Sequence, residues 1–398
     1  MNRSPKPSPD LSPKHSFTQN SMSPMKQEPK HESLPRTVNP AGRSGRPHFS
    51  LWALLVTATL ALVASAQGAA PTISMMPSYN QNQTYANAAF NESIQVWGRV
   101  SGGSGTYTSY TIDFGDGTPV ASGLVINADF NTVLNVQTPT PIASPNRNFI
   151  KADHAYTSGG SKTVTLTVTD NLGATASGTA VIRVLLAPTH DERVNMAIDK
   201  GLLYLYRTQV KTTAGGGVQV SQWSANNAGD YQSAVSGAAA MAFAENGHLA
   251  SNDPVTDVYA ETVKRCIYYA VSLGRNLAIG AQAGGNPDAN GNGRGIYFAD
   301  QIVYNHSFQT MGVVNAFKNA AAAQATPIPA GLWVGGGIMP ANFKDFIQDA
   351  LDELSYCQGD AGYKGWHYST TTANSGNNGF DGSTHQWPNI AILTAKER

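Results

Sequence analysis

Two histidines in this chain stand where side-chain chemistry is possible. His306 lies in "VYNHSFQTMG" and His385 in "GSTHQWPNI", each ahead of a run of apolar residues. Aligning these runs with a third, "YQSAVSGAAAMAFAE", puts Ser233, Ser307 and Gln386 at one position. Gln232, His306 and His385 then share the position before it. His367, Trp366 and Asp381 stand close by in sequence. Imidazole titrates near neutral pH and ligates metals, so two histidines with an aspartate can form a metal site or a general acid–base pair. The same side chains can instead cap helices and hold the glycine-rich loops beside them.

A second candidate is "DANGNG", residues 288–293. Oxygen-bearing side chains alternate there and a glycine takes the sixth position, as in a calcium loop, with Asp288, Asn290 and Asn292 as ligands. The twelfth position is Ala299, not the expected bidentate glutamate, and Asp300 comes one residue late. A cluster of Asn-Gly turns is the other reading. The chain has no Gly-x-Ser-x-Gly elbow, phosphate loop or His-Glu-x-x-His motif.

The histidines need helices to position them. In "DERVNMAIDKGLLYLYRTQ", Val194, Ala197, Ile198, Gly201, Leu202 and Leu205 recur at helical spacing, which predicts an amphipathic helix. Pro188 and Thr189 mark its start, with Asp191 and Glu192 near the positive end of the helix dipole. Three units repeat one plan over residues 190–398: a helix, a long Gly- and Asn-rich loop, then a second helix rich in small residues. Small side chains let helix axes approach closely, which suits an inner layer.

Residues 71–186 follow a period of two instead. In "KTVTLTVTD", Val164, Leu166 and Val168 alternate with threonines. "SIQVWGRV", "YTSYTIDF" and "ATASGTAVIRVLL" also read as strands between turn signals. An antiparallel sandwich follows.

Motifs in both regions resemble known families. "YTIDFGDGT" is similar to the Trp-x-Phe-Gly-Asp-Gly signature of the polycystic-kidney-disease (PKD) domain, carried here by Asp113, Phe114, Gly115, Asp116 and Gly117. His154-Ala155-Tyr156 and the strand from Val164 to Asp170 match that family's two further motifs in order. The resemblance implies a seven-stranded immunoglobulin-like sandwich that acts as a spacer or binds sugar polymers or proteins. Some relatives bind calcium, which gives Asp113 and Asp116 a second reading beside that of turn-forming residues. The segment between Gly117 and His154 is longer than the family's, so an elaborated loop or extra hairpin is expected there.

The helical units resemble the α/α-toroid repeats of the prenyltransferase and squalene–hopene cyclase superfamily. Gly365-Trp366 and Gln386-Trp387 match the Gly-Gly-Trp and Gln-Trp elements of its repeat. The resemblance implies that Trp366 and Trp387 stitch neighbouring helix pairs, and both are also candidates for ligand contact. The Asp-rich cyclase motif, the zinc set of the protein prenyltransferases and the Cys-Gly-Glu-Gln thioester are missing. A full toroid has more helix pairs than the three found, so either the chain is incomplete or a partial toroid needs a partner.

Composition bounds the rest. The 398 residues suffice for two or three domains. Lys plus Arg equals Asp plus Glu at 26 each, and charged residues are only 13%, so the basic face of a nucleic-acid binder is not expected. The two cysteines, Cys266 and Cys357, allow one disulfide or two buried thiols. Residues 1–48 are rich in Ser, Pro and Lys and are expected to be disordered. Residues 49–66 carry an apolar run ending in Ala64-Ser65-Ala66. It reads as a secretory signal, or as an uncleaved anchor and then the only membrane contact.

These readings converge on an exported, multidomain protein of the secreted or cell-envelope class. An all-β PKD-like sandwich precedes an all-α toroid-like region. The expected role is non-catalytic binding or scaffolding at polysaccharide or extracellular protein surfaces, with calcium as the one cofactor to consider. The alternative is a toroid-cavity enzyme acting on glycans as a lyase or hydrolase, and, more remotely, a terpene cyclase-like enzyme.

Overall fold

The computed structural model describes residues 69–76, 85–123, 148–223, 231–254, 257, 259–362, 364–379 and 382–398. The two N-terminal segments, 1–48 and 49–66, lie outside the described residues. All described residues fall within one unit, Leu62–Arg398.

The strands are β1 (Pro71–Met76), β2 (Ala86–Ala89), β3 (Ser93–Gly102), β4 (Tyr107–Asp113), β5 (Ala121–Gly123), β6 (Asn148–Ala155), β7 (Gly160–Asp170) and β8 (Thr175–Leu185). One sheet has the order β2-β8-β7-β4-β5 and the other β1-β3-β6. All pairings are antiparallel except β2 with β8. Among the described residues eight strands therefore stand where the family resemblance implies seven. The short β5 lies at a sheet edge. The expected elaborated loop falls mostly on residues 124–147, outside the described residues.

The predicted alternation sets the core. Val164, Leu166 and Val168 of β7 are buried while the threonines between them are not. Side chains alternate faces along a strand, so a one-residue slip would expose all three. They pack with Val96, Val100, Ile112, Ile150, Ile182 and Val184.

Helix α1 (His190–Thr208) begins where predicted. Thr189 and Glu192 form a capping box, and Asp191 and Glu192 sit in the first turn. Its phase is a correction. The buried residues are Met196, Leu202 and Tyr206, while Val194 and Ile198 of the predicted stripe are exposed. The period is helical as expected, but two apolar stripes interleave. The one chosen is the one that meets β2 and α2.

The remaining helices are α2 (Gln232–Glu245), α3 (Ala260–Leu273), α4 (Val303–Asn315), the short α5 (Ala320–Gln324), α6 (Phe343–Cys357) and α7 (Gly382–Glu397). Helix α4 packs between α2 and α7, with α3 against both α2 and α4 and α6 against α4. Glycines bring α2 and α4 close. A Cβ on Gly237 would lie 2.3 Å from the Phe308 carbonyl oxygen, and one on Gly312 2.7 Å from that of Gly237. The inner-helix role expected from small residues thus has a direct cause.

The first two Gly-rich loops are partly ordered as two-stranded ribbons instead of plain loops. β9 (Val210–Thr213) pairs with β10 (Gln219–Gln222), and β11 (Gly274–Ala278) with β12 (Arg294–Phe298). Cys266 and Cys357 are both free and buried, so the disulfide alternative does not hold. Among the described residues no helix is long and apolar enough to cross a membrane.

Candidate functional site

The PKD signature forms a pinned turn at one end of the sandwich. Gly115 has φ +70°, and a Cβ there would meet the Thr163 carbonyl oxygen at 2.3 Å, so only glycine fits. Asp113 Oδ1 accepts from Gly115 N at 2.8 Å. Asp116 Oδ1 accepts from Thr118 N and Oγ1 at 3.1 and 2.6 Å, and its Oδ2 lies 2.8 Å from His154 Nε2. His154 stacks on Phe114 at 4.0 Å and meets Tyr156 edge-on at 4.6 Å. Tyr156 Oη donates to the Phe114 carbonyl at 3.1 Å.

Burial alone would raise the Asp116 carboxyl. The bonds from Thr118 and His154 outweigh it and bring the value down to about 2. Burial pushes the Tyr156 phenol up, with the Asp116 and Asp113 charges adding to it. The signature residues are thus a network that closes a turn, and one Asp113 oxygen and both Asp116 oxygens among those named for calcium are engaged by protein groups.

The two histidines have different neighbours. His306 on α4 is fully buried. Its Nε2–H donates to the Ala350 carbonyl at 2.9 Å, which leaves Nδ1 as an acceptor. Nδ1 lies 3.1 Å from Glu353 Oε2, a close but poorly aligned contact between two fully buried groups. Burial lowers His306 to about 4 and raises Glu353 well above its ordinary range. Both are therefore neutral near pH 6, and the carboxylic acid proton is the one that can meet Nδ1. His306 thus faces α6 in the protein interior, not the mouth of a cavity. His385, half-buried at the head of α7, rests its ring 5.5 Å from that of Trp366. His367 stacks edge-on with Tyr368 at 5.5 Å. Asp381 lies outside the described residues.

Trp366 is 1% exposed and donates from Nε1 to the Leu354 carbonyl at 2.7 Å. Thr384 Oγ1 donates to the Trp366 carbonyl at 2.7 Å, tying the loop to α7. A side chain so enclosed has no face for a ligand, which corrects that part of the expectation. Trp387 is half-buried and packs on Phe308 of α4 at 4.5 Å. Stitching between helices is what both tryptophans do here.

The 288–293 loop is a set of nested Asx turns. Asp288 Oδ1 accepts from Gly291 N at 2.9 Å and Asn292 N at 3.1 Å, and Oδ2 from Gly293 N at 2.7 Å. The Asn290 and Asn292 oxygens accept from Asn292 N and Arg294 N at 3.2 and 2.9 Å. Their amide nitrogens both donate to Asp349 Oδ1 on α6 at 2.8 Å. Arg294 Nε donates to Asp349 Oδ2 at 2.6 Å. The oxygens set aside for calcium thus turn to backbone N–H groups, and the loop is held to α6 through the fully buried Asp349. Among the described residues no group of three His, Cys, Asp or Glu side chains is placed to hold a metal.

Sequence reasoning passed over the residues where the sandwich meets the helices. Arg99 of β3 lies 3.4 Å from Glu261 on α3 and donates to the Pro254 carbonyl. Lys200 of α1 pairs with Glu92, and Arg183 of β8 with Glu192 at 3.2 Å. Between these contacts lies a cleft of about 230 Å³, lined among others by Ile94, Ile182, Met196, Asp199, Leu203 and Tyr259. Behind it the buried His248 sets Nδ1 3.0 Å from Asp257 Oδ1. The signal available in the sequence was Asp199 itself, an acid at helical spacing from Met196, Leu202 and Leu203.

Residues 81–183 match the PKD domain family, and the sandwich is a PKD domain. Such domains typically occur in extracellular proteins, often in adhesive or scaffolding roles. No curated protein matches the chain. Among solved structures, the PKD1 domain of Vibrio anguillarum Epp is similar at 21% identity, covering 30% of this chain and 99% of its own, with a TM-score of 0.18. The PKD domain of an M14-like peptidase from a Thermoplasmatales archaeon has 16% identity, covers 29% of this chain and 92% of its own, and has a TM-score of 0.19. The SrpA adhesin from Streptococcus sanguinis has 11% identity, covers 40% of this chain and 89% of its own, and has a TM-score of 0.19.

Proposed function

We propose that this is an exported protein that binds or scaffolds at polysaccharide or extracellular protein surfaces without catalysing a reaction. The PKD domain carries the reading, because domains of this family serve as spacers and binding units outside the cytoplasm. Export itself rests on the apolar segment at residues 49–66, and on the low charge of the whole chain.

The helical region reads as an arc of α/α repeats of the toroid kind. Support comes from the row α2, α4, α7, in which each helix packs on the next, with α3 and α6 behind it. In this reading the arc presents its loops while the sandwich sets their distance from the attachment point. Amide-rich loops and exposed aromatics such as Tyr231 and Tyr368 suit sugar stacking and hydrogen bonding.

The test is a glycan and extracellular-matrix protein array probed with the mature chain, followed by a product assay on every hit. The expected result is saturable binding with the bound polymer left intact. Release of shortened or unsaturated products from a bound glycan would replace this reading by that of a glycan-cleaving enzyme. Fractionation of cells expressing the full chain checks export, and a cytoplasmic pool alone would overturn it.

A further inference from the structure

We propose that the cleft between the sandwich and helix α1 binds a primary ammonium group on an apolar stem, with Asp199 as its counter-ion. The inference is independent of the surface-binding role above, since the cleft lies at the junction of the two regions and not on the repeat loops.

Asp199 is half-buried on the cleft wall and carries no hydrogen bond or ion pair among the described contacts. A carboxylate withdrawn from water without a partner is costly, and buried ionised groups are normally paired. The neighbouring cation does not serve it, because Lys200 is held by Glu92. Burial raises Asp199 to about 6, and the only charge that offsets this is His248. His248 itself is turned through Nδ1 to Asp257. The carboxylate is therefore ionised at neutral pH and open to a cation from outside.

The walls define the rest of the ligand. Ile94, Ile182, Met196 and Leu203 form an apolar strip for a hydrocarbon stem, in a lining that Asn87, Ser93, Gln95 and Lys200 make polar elsewhere. The volume of about 230 Å³ takes a single alkyl chain with its head group. A free alkylamine and a lysine side chain of a protein share this chemistry.

The full-length protein is titrated by calorimetry with n-hexylammonium and, separately, with a blocked lysine amide, and with hexan-1-ol and hexanoate as controls. Saturable binding of either amine is expected, with Kd on the order of 1 mM and at least ~10-fold tighter than either control. The arm that binds more tightly tells a small amine from a protein lysine. Asp199→Asn should weaken amine binding at least ~10-fold, whereas Asp191→Asn, an exposed acid on the same helix, should not change it. Leu203→Trp, which fills the cleft but keeps the carboxylate, should also abolish binding.

Affinity should fall as pH drops through about 6. The groups facing Asp199 are His248 and Tyr259, with Lys200, paired to Glu92, in the same lining. Equal binding of hexanol and hexylammonium, unchanged amine affinity in folded Asp199→Asn, or no saturable amine binding at tens of millimolar would overturn the proposal.

Discussion

The sandwich and the helical region each set a histidine against a carboxyl group, partly exposed in the first and fully buried in the second, and the two carboxyl groups are shifted in opposite directions. In the sandwich, His154 and Asp116 stand 2.8 Å apart, and Asp116 also accepts two bonds from Thr118. Those donors hold its carboxyl down to about 2. In the helical region, His306 and Glu353 are 3.1 Å apart, but no backbone or hydroxyl donor reaches Glu353, which is driven far up. Four residues earlier on the same helix, Asp349 is just as buried, yet Asn290, Asn292 and Arg294 surround it. At equal depth, donors surround Asp349 and none reaches Glu353.

The largest test removes the best-supplied carboxylate. Asp349→Leu should cost about 4 kcal/mol in urea unfolding, because it strands the half-buried Arg294 and frees the 288–293 loop. A loss below about 1 kcal/mol would show that the donors around Asp349 contribute no more than exposed ones do.

Glu353→Gln comes next, and its signature lies in the pH profile. Between 4.5, the ordinary glutamate value, and 6.5, the ordinary histidine value, the unfolded chain holds one proton on His306. The folded chain holds that proton on Glu353, so stability is flat in this window. Above 6.5 the unfolded chain releases it and the folded chain does not, so stability falls as pH rises. Below 4.5 the unfolded chain gains a second proton while His306 resists down to about 4, so stability falls as pH drops. The glutamine variant should lose the alkaline fall, and its acid fall should begin near 6.5 instead of 4.5, because the unfolded chain then takes up a proton on His306 that the folded chain resists down to about 4. Retention of the alkaline fall would place the proton elsewhere.

Asp116→Asn should cost about 1 kcal/mol at pH 7, the share of a well-bonded but partly solvated carboxylate. Its contribution is full above 3.8 and is lost as pH falls toward about 2, so the variant should flatten that acid limb. Smallest of all, Asp113→Ala removes one exposed bond to Gly115 N and should cost about 0.5 kcal/mol by thermal unfolding. An equal loss at Asp113 and Asp116 would remove His154 from the account.

How much of this was legible beforehand differs between the regions. The PKD turn was readable because its glycine, aspartates and His-x-Tyr act across a few residues and one strand pairing, and each type suits its local geometry. The start of α1 was readable for the same reason, since the Thr189–Glu192 capping box is local. The histidine register was a weaker guide. His306 and His385 each lie in the first turn of a helix, but position along a helix does not say which neighbour a ring will meet. The "DANGNG" spacing marked a turn-rich loop correctly, yet the same spacing serves calcium and Asx turns alike.

What the residues alone determined is therefore what short-range physics can encode: strand alternation, helix caps, obligatory glycines and the close approach of small-residue helices. The tertiary structure decided the phase of α1, the pairing of His306 with Glu353, the capture of the 288–293 loop by Asp349, and the cleft at Asp199. Each of these joins groups far apart in the chain, and burial with donor count, which exist only once the elements pack, sets their charge.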